Sequence, residues 1–251
     1  MKRILLFATV LIFSSFMSAQ TLLSPSNNLR LEFLLNKANQ PVYSVYYKNQ
    51  EIVAESLLGF TLKDQGELFN SFESKSVNRR TVDENWSPVL GEEAVIRDHF
   101  NEMTIDLYHS ISGIDMQVIF RAYDEGVAFR YVFPNQEKLR YFIVKKEMTE
   151  FNLNGDHKTF WIPADFDSQE YAYNETPISG IDTRKIDLNN GIGFKSIVND
   201  HGVQSPLMMK SAEGVYINIF EAAVDNYPVM HLNCDPARFA FQAMLAPNPI
   251  G

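Results

Sequence analysis

The sequence predicts an all-β fold, a large antiparallel sandwich of two stacked sheets. Three observations carry this. Apolar residues alternate with polar ones along most of the chain, which is the period of a half-buried strand. Gly, Asn and Pro punctuate those runs at turn positions. No stretch sustains the i, i+3, i+4, i+7 apolar stripe of a helix. With 251 residues and 45% hydrophobic composition, the chain can build a full core.

In chain order, Lys2 and Arg3 precede an apolar run, Ile4 to Met17, and then Ser18-Ala19. This pattern predicts a secretory signal peptide over residues 1–19, with an exported mature domain over 20–251. No later segment is long and apolar enough to predict a membrane span. Leu29, Leu31, Phe33 and Leu35 share one strand face, and Val42 to Tyr47 is β-branched and aromatic. Met103, Ile105 and Leu107 alternate, as do Met116, Val118 and Phe120. Asp124-Glu125-Gly126 then marks a turn into Val127, Phe129, Tyr131 and Phe133, which predicts a hairpin. Gly180 to Val203 predicts a long connection, and Val215 to Phe220 and Phe239 to Leu245 predict further strands. The sequence then stops at Pro249-Ile250-Gly251 with no closing element, which leads us to expect a domain lacking its last strands.

Charge and cysteine content exclude some functions. A formal charge of −9 argues against a nucleic-acid partner, which needs a basic surface. The single Cys234 cannot form an internal disulfide and reads as a small buried hydrophobe. Gly-rich phosphate loops, HExxH, CxxC and Gly-x-Ser-x-Gly motifs are all missing from the sequence, and the five histidines read as hydrogen-bonded structural residues.

Two dense stretches remain. Phe160 to Tyr173, FWIPADFDSQEYAY, interleaves Phe160, Trp161, Phe166, Tyr171 and Tyr173 with Asp165, Asp167 and Glu170. Aromatic faces stack on sugars, and carboxylates hold hydroxyls or a hard cation such as calcium. The same residues also suit a packed loop with solvated acids. Aromatic walls around Glu170 would make its carboxylate need a partner, calcium being the natural one. The second stretch, Glu84 to Glu102, holds Trp86, Glu92, Glu93, Arg97, His99 and Asn101. It suits an ion-pair network between two strands or the lining of a sugar site.

Trp86-Ser-Pro88, Gly91-Glu92-Glu93, Ile96 to Glu102, Asn154 to His157, Phe160 to Pro163 leading into Asp167 to Tyr171, and Gln204 to Lys210 together resemble glycoside hydrolase family 97. The resemblance covers the mature chain in order. It implies an N-terminal β-super-sandwich similar to galactose mutarotase, with a catalytic (β/α)8 barrel beyond this chain that supplies the acid and the nucleophile or base. It implies an exported, periplasmic α-glycosidase acting on α-linked oligosaccharides, α-glucosidase before α-galactosidase. It also implies that Glu170, in Gln169-Glu170-Tyr171, reaches a calcium ion at the barrel's active site. Trp161, Asp167, Tyr171, Glu92 and His99 are the candidate sugar contacts. Leu90 departs from the aromatic that the resemblance leads us to expect before Gly91, which removes a stacking contact. A stand-alone sugar-binding module, with the aromatic–acid loop as its site and Trp161 as the platform, and a purely structural domain are the competing expectations.

Overall fold

The computed structural model describes residues 19–186 and 196–247. The leader expected over residues 1–19 lies almost wholly outside these. The strands, in chain order, are β1 (Gln20–Leu23), β2 (Leu29–Leu35), β3 (Pro41–Tyr47), β4 (Gln50–Leu57), β5 (Phe60–Leu62), β6 (Gly66–Leu68) and β7 (Phe72–Trp86). Then come β8 (Ile96–His109), β9 (Ile114–Ala122), β10 (Val127–Val132), β11 (Val144–Glu147), β12 (Glu150–Leu153), β13 (Lys158–Trp161) and β14 (Asn174–Pro177). The last five are β15 (Gly202–Gln204), β16 (Leu207–Lys210), β17 (Tyr216–Ile219), β18 (Met230–Asp235) and β19 (Ala240–Leu245). Helical structure among the described residues amounts to three single 3-10 turns.

The strands form four antiparallel sheets. The largest has eight, in the order β1-β2-β3-β4-β12-β19-β18-β15. A second runs β10-β9-β8-β7 and packs against it. The alternation read from the sequence explains why. Leu29, Leu31, Phe33 and Leu35 of β2 are buried while Arg30 and Glu32 between them are half-exposed and pair with each other. Met103, Ile105 and Leu107 of β8, and Met116, Val118 and Phe120 of β9, are buried from the facing sheet. Rings meet across the interface: Phe33 and Tyr43 pack on Phe120 at centroid distances of 5.8 and 6.4 Å, and Tyr43 on Phe129 at 5.4 Å. Offset and tilted ring pairs of this kind add to the area they bury.

The predicted hairpin is present. Tyr123 donates its amide to Gly126 O at 2.8 Å, and β9 and β10 pair from Ala122↔Val127 outward. Cys234 is buried as expected, and burial pushes its thiol up to about 12. One long strand has no counterpart in the sequence reading. β7 spans 15 residues and shows almost no apolar alternation, because nearly all of it is exposed. It is an edge strand whose partner, β8, supplies the buried face, and its Lys75, Arg79, Arg80 and Glu84 suit an edge that resists pairing with other chains.

A smaller sheet, β14-β13-β16-β17, carries the aromatic–acid loop between β13 and β14. The expected connection from Gly180 to Val203 is only partly described, because residues 187–195 lie outside the described set.

Candidate functional site

The loop from Ile162 to Tyr173 leaves β13 where Trp161 enters the core. Trp161 is 1% exposed, and its Nε1 donates to Thr176 Oγ1 on the neighbouring β14 at 2.9 Å. This corrects the sugar-platform expectation. Inward residues of a strand alternate with outward ones, and register places Trp161 on the buried side, where neither ring face is open to a ligand. Phe160, its neighbour, takes the other face.

The next residues are tied to the eight-stranded sheet. Ala164 N donates to Gly202 O at 2.9 Å and Gln204 N to Ile162 O at 3.1 Å. A side chain at Gly202 would sit 2.8 Å from Ala164 Cβ, so the close approach of loop and strand needs the glycine there.

Asp165 is the organising residue. It is 2% exposed. Its Oδ1 accepts from the amides of Asp167 at 2.8 Å and Ser168 at 3.2 Å, which closes an Asx turn. Its Oδ2 accepts from Ser196 N at 2.8 Å and from the Tyr171 hydroxyl. Burial alone would raise the Asp165 carboxyl, but the Tyr171 hydroxyl and the three amides outweigh it and hold the group below the usual carboxylate range. Burial and the hydrogen bond to Asp165 in turn push the Tyr171 phenol up. Tyr171 is therefore a loop brace through its hydroxyl, with its ring half-buried.

Glu170 lies three residues past Asp167, and both are exposed. The Glu170 amide donates to Ser168 Oγ at 3.1 Å, while no hydrogen bond or ion pair among the described residues engages its carboxylate. This overturns the premise that aromatic walls shield it. Trp161 points into the core, Phe166 stacks on His231 with centroids 5.0 Å apart and planes within 6°, and Tyr171 is bound to Asp165. Solvent satisfies the Glu170 charge. The most exposed aromatic of the loop is Tyr173, at 69%.

Glu92 and His99 lie elsewhere, on the arm that β7 and β8 form. Glu92 is exposed in the connection between these strands, and His99 is half-buried opposite Asp83. The charges around them pair along the ladder. Arg97 makes a two-point contact with Asp83 at 2.7 and 2.8 Å, both side chains being exposed. Deeper in the sheet, Glu102 is buried between Arg80 and Arg121, at 2.6 and 2.8 Å. The hydrogen bond from Arg80 is the main cause that holds the Glu102 carboxyl below its ordinary range. This stretch is the strand-joining network that one of the two sequence readings foresaw. No hydrogen bond or ion pair among the described residues joins it to the Glu170 loop.

Calcium takes about six to eight oxygen ligands. Among the described residues, no group of three or more His, Cys, Asp or Glu is placed to hold a metal ion. Glu170 and Asp167 fit as part of an oxygen donor set, because both carboxylates are exposed on a braced loop and no ion pair among the described residues engages them. The rest of such a set must come from other residues.

The family model for the glycosyl-hydrolase 97 N-terminal domain matches residues 22–247. The chain belongs to this family. A retaining alpha-galactosidase of Bacteroides thetaiotaomicron is 26% identical over 231 residues, which are 91% of this chain and 32% of that protein. Two structures of a glycoside hydrolase family 97 enzyme of Pseudoalteromonas sp. strain K8, one a variant with panose and one with acarbose, superpose with a TM-score of 0.79 at 31% identity. They too match 91% of this chain and 32% of their own. A beta-arabinopyranosidase at 22% identity, TM-score 0.77, shares the fold. This family 97 chain thus spans about a third of the length of the relatives it matches.

Sequence reasoning passed over two residues of the site. Gln204 and His231 both hold the loop, and neither stands in a chemical motif. Gln204 was visible only inside the family-like run Gln204 to Lys210. His231 was read as a hydrogen-bonded structural residue, which describes its bond from Nε2 to Asp165 O at 2.9 Å.

Proposed function

We propose that this domain presents Glu170 as one ligand of a calcium ion shared with a catalytic barrel, in an exported, exo-acting α-glycosidase. The observation that carries the reading is the contrast within one loop: a buried, fully satisfied Asp165 at its base and, at its outer end, an exposed Glu170 whose carboxylate no hydrogen bond or ion pair among the described residues engages. A carboxylate held out in this way is suited to meet a cation presented by another part of the protein. When bound, the ion supplies positive charge that polarises substrate and orients catalytic groups. The residues of this chain do the rest of the work assigned here: Asp165 and Tyr171 fix the loop, and Glu170 and Asp167 offer oxygens. The catalytic acid and the nucleophile or base lie outside this chain.

An α-glucoside is the preferred substrate class. The relatives in complex with panose, which is built of α-linked glucose, and with acarbose stand at 31% identity, above the 26% of the alpha-galactosidase. Export rests on the charged and apolar pattern of residues 1–19, and the periplasmic destination on the resemblance to family 97. The reading as a stand-alone sugar module is weakened, because its aromatic platform, Trp161, is buried.

The test is a family 97 polypeptide whose N-terminal third is replaced by this chain, assayed on maltooligosaccharides against calcium concentration. Glu170→Gln should raise the calcium needed for half-maximal activity by about tenfold or more, the scale on which even supporting residues of metal sites act. An unchanged calcium curve would sink the reading.

A further inference from the structure

We infer that Gln204 and His231 form a positioning pair that sets the loop so that Glu170 points outward. This rests on the reading of Glu170 as a metal ligand and extends it to residues that touch neither metal nor substrate. The two are directly opposite each other on β15 and β18, and 2% and 3% exposed. Side chains opposite one another on paired strands share a face, and here both are spent on the loop. Gln204 Nε2 donates to Pro163 O at 3.0 Å and to Ser168 O at 2.8 Å, bridging five residues of chain. His231 Nε2 donates to Asp165 O between those anchors, and its ring supports Phe166.

The grip converges on Ser168. Gln204 holds its carbonyl and Asp165 holds its amide, and its hydroxyl accepts the Glu170 amide. Glu170 is thus oriented through a short relay that starts on the eight-stranded sheet.

The unused atoms sharpen the assignment. Among the described residues, nothing hydrogen-bonds the buried Gln204 Oε1 or His231 Nδ1. An unsatisfied buried polar atom is a cost that an apolar residue of the same shape would avoid. These side chains therefore offset that cost through the atoms that reach the loop.

The experiment is amide hydrogen exchange by NMR on the full chain. In Gln204→Met, which keeps the volume and removes the donors, the amides of Asp167, Ser168, Glu170 and Tyr171 should exchange about tenfold faster or more, with the β8–β9 ladder unchanged. His231→Leu should do the same at Asp167 and Ser168. Ser168→Ala, a change at the half-buried surface, should release the Glu170 amide alone and keeps the relay testable if the core variants do not fold. Loop amides that exchange as in wild type, or loop and ladder accelerating together, would overturn the inference. In the fused polypeptide, Gln204→Met should raise the calcium requirement and leave kcat at saturating calcium in place. If Glu170→Gln has no effect there while Gln204→Met frees the loop, the calcium reading fails and the positioning of the loop stands. If Glu170→Gln raises the requirement and Gln204→Met does not, the positioning role fails.

Discussion

The Glu170 loop and the β7–β8 arm are similar in composition and opposite in construction. Each holds one of the chain's two tryptophans and a set of acids. In the loop, Trp161 is buried and Asp165 accepts four hydrogen bonds in the interior. In the arm, Trp86 is 50% exposed, and Asp83 and Arg97 pair in solvent. The same residue types hold the chain in one place and stand in solvent at the end of the other, whose buried charge, Glu102, lies deeper in the sheet. Burial, not residue identity, decides which.

The largest separation between the two regions should come from their tryptophans. Trp161→Ala removes a large ring from a close-packed site and orphans Thr176 Oγ1, so it should cost about 3–5 kcal/mol in urea unfolding. Trp86→Ala should leave the unfolding midpoint nearly in place. A Trp161→Ala protein as stable as wild type would mean that the ring is not part of the core, and would restore its candidacy as a sugar platform.

Next in size is the pair of aspartates. Asp165→Ala strips the acceptor from three amides and a phenol, and should cost about 2–3 kcal/mol by the same measurement. Asp83→Ala should give no resolved change, because solvent replaces the Arg97 contact. Equal losses at the two positions would break the distinction drawn between them.

The two regions also differ in how far they could be read from sequence. The all-β sandwich was legible because β2, β8 and β9 bury one face each and so carry period-two alternation. β7 was not, since an edge strand exposed along nearly its whole length leaves no apolar imprint. Within the loop, the Asp-rich middle and Pro163 announced irregular backbone. They could not announce which acid turns inward. That depends on strand β15 arriving beside the loop from some forty residues later in the chain, and on Ser196, and no local pattern encodes either. The misreading of Trp161 has the same root. Its neighbours on both sides are aromatic or apolar, so alternation is silent, and only the pairing of Trp161 with Asn174 and of Phe160 with Met208 fixes which ring faces the core.

The smallest effect, and the sharpest test of the comparison, is in the acid limb of stability. Both Asp165 and Asp83 have carboxyls held below their ordinary value of 3.8, the first by the Tyr171 hydroxyl and three amides acting against burial, the second mainly by Arg97. A depressed folded-state value means that the folded chain holds its proton less tightly than the unfolded chain. The stabilisation is then fully present above about 3.8, and is lost as the pH falls from there through the folded value. For Asp83 most of this is screened, since both partners stand in solvent. Asp165→Asn should therefore flatten the fall in stability below pH 4 relative to wild type, while Asp83→Asn should leave its slope unchanged. Urea unfolding at a series of pH values between about 2.5 and 6 reads this directly. A steeper dependence on Asp83 than on Asp165 would show that the exposed pair, and not the buried brace, is the electrostatic anchor of the domain.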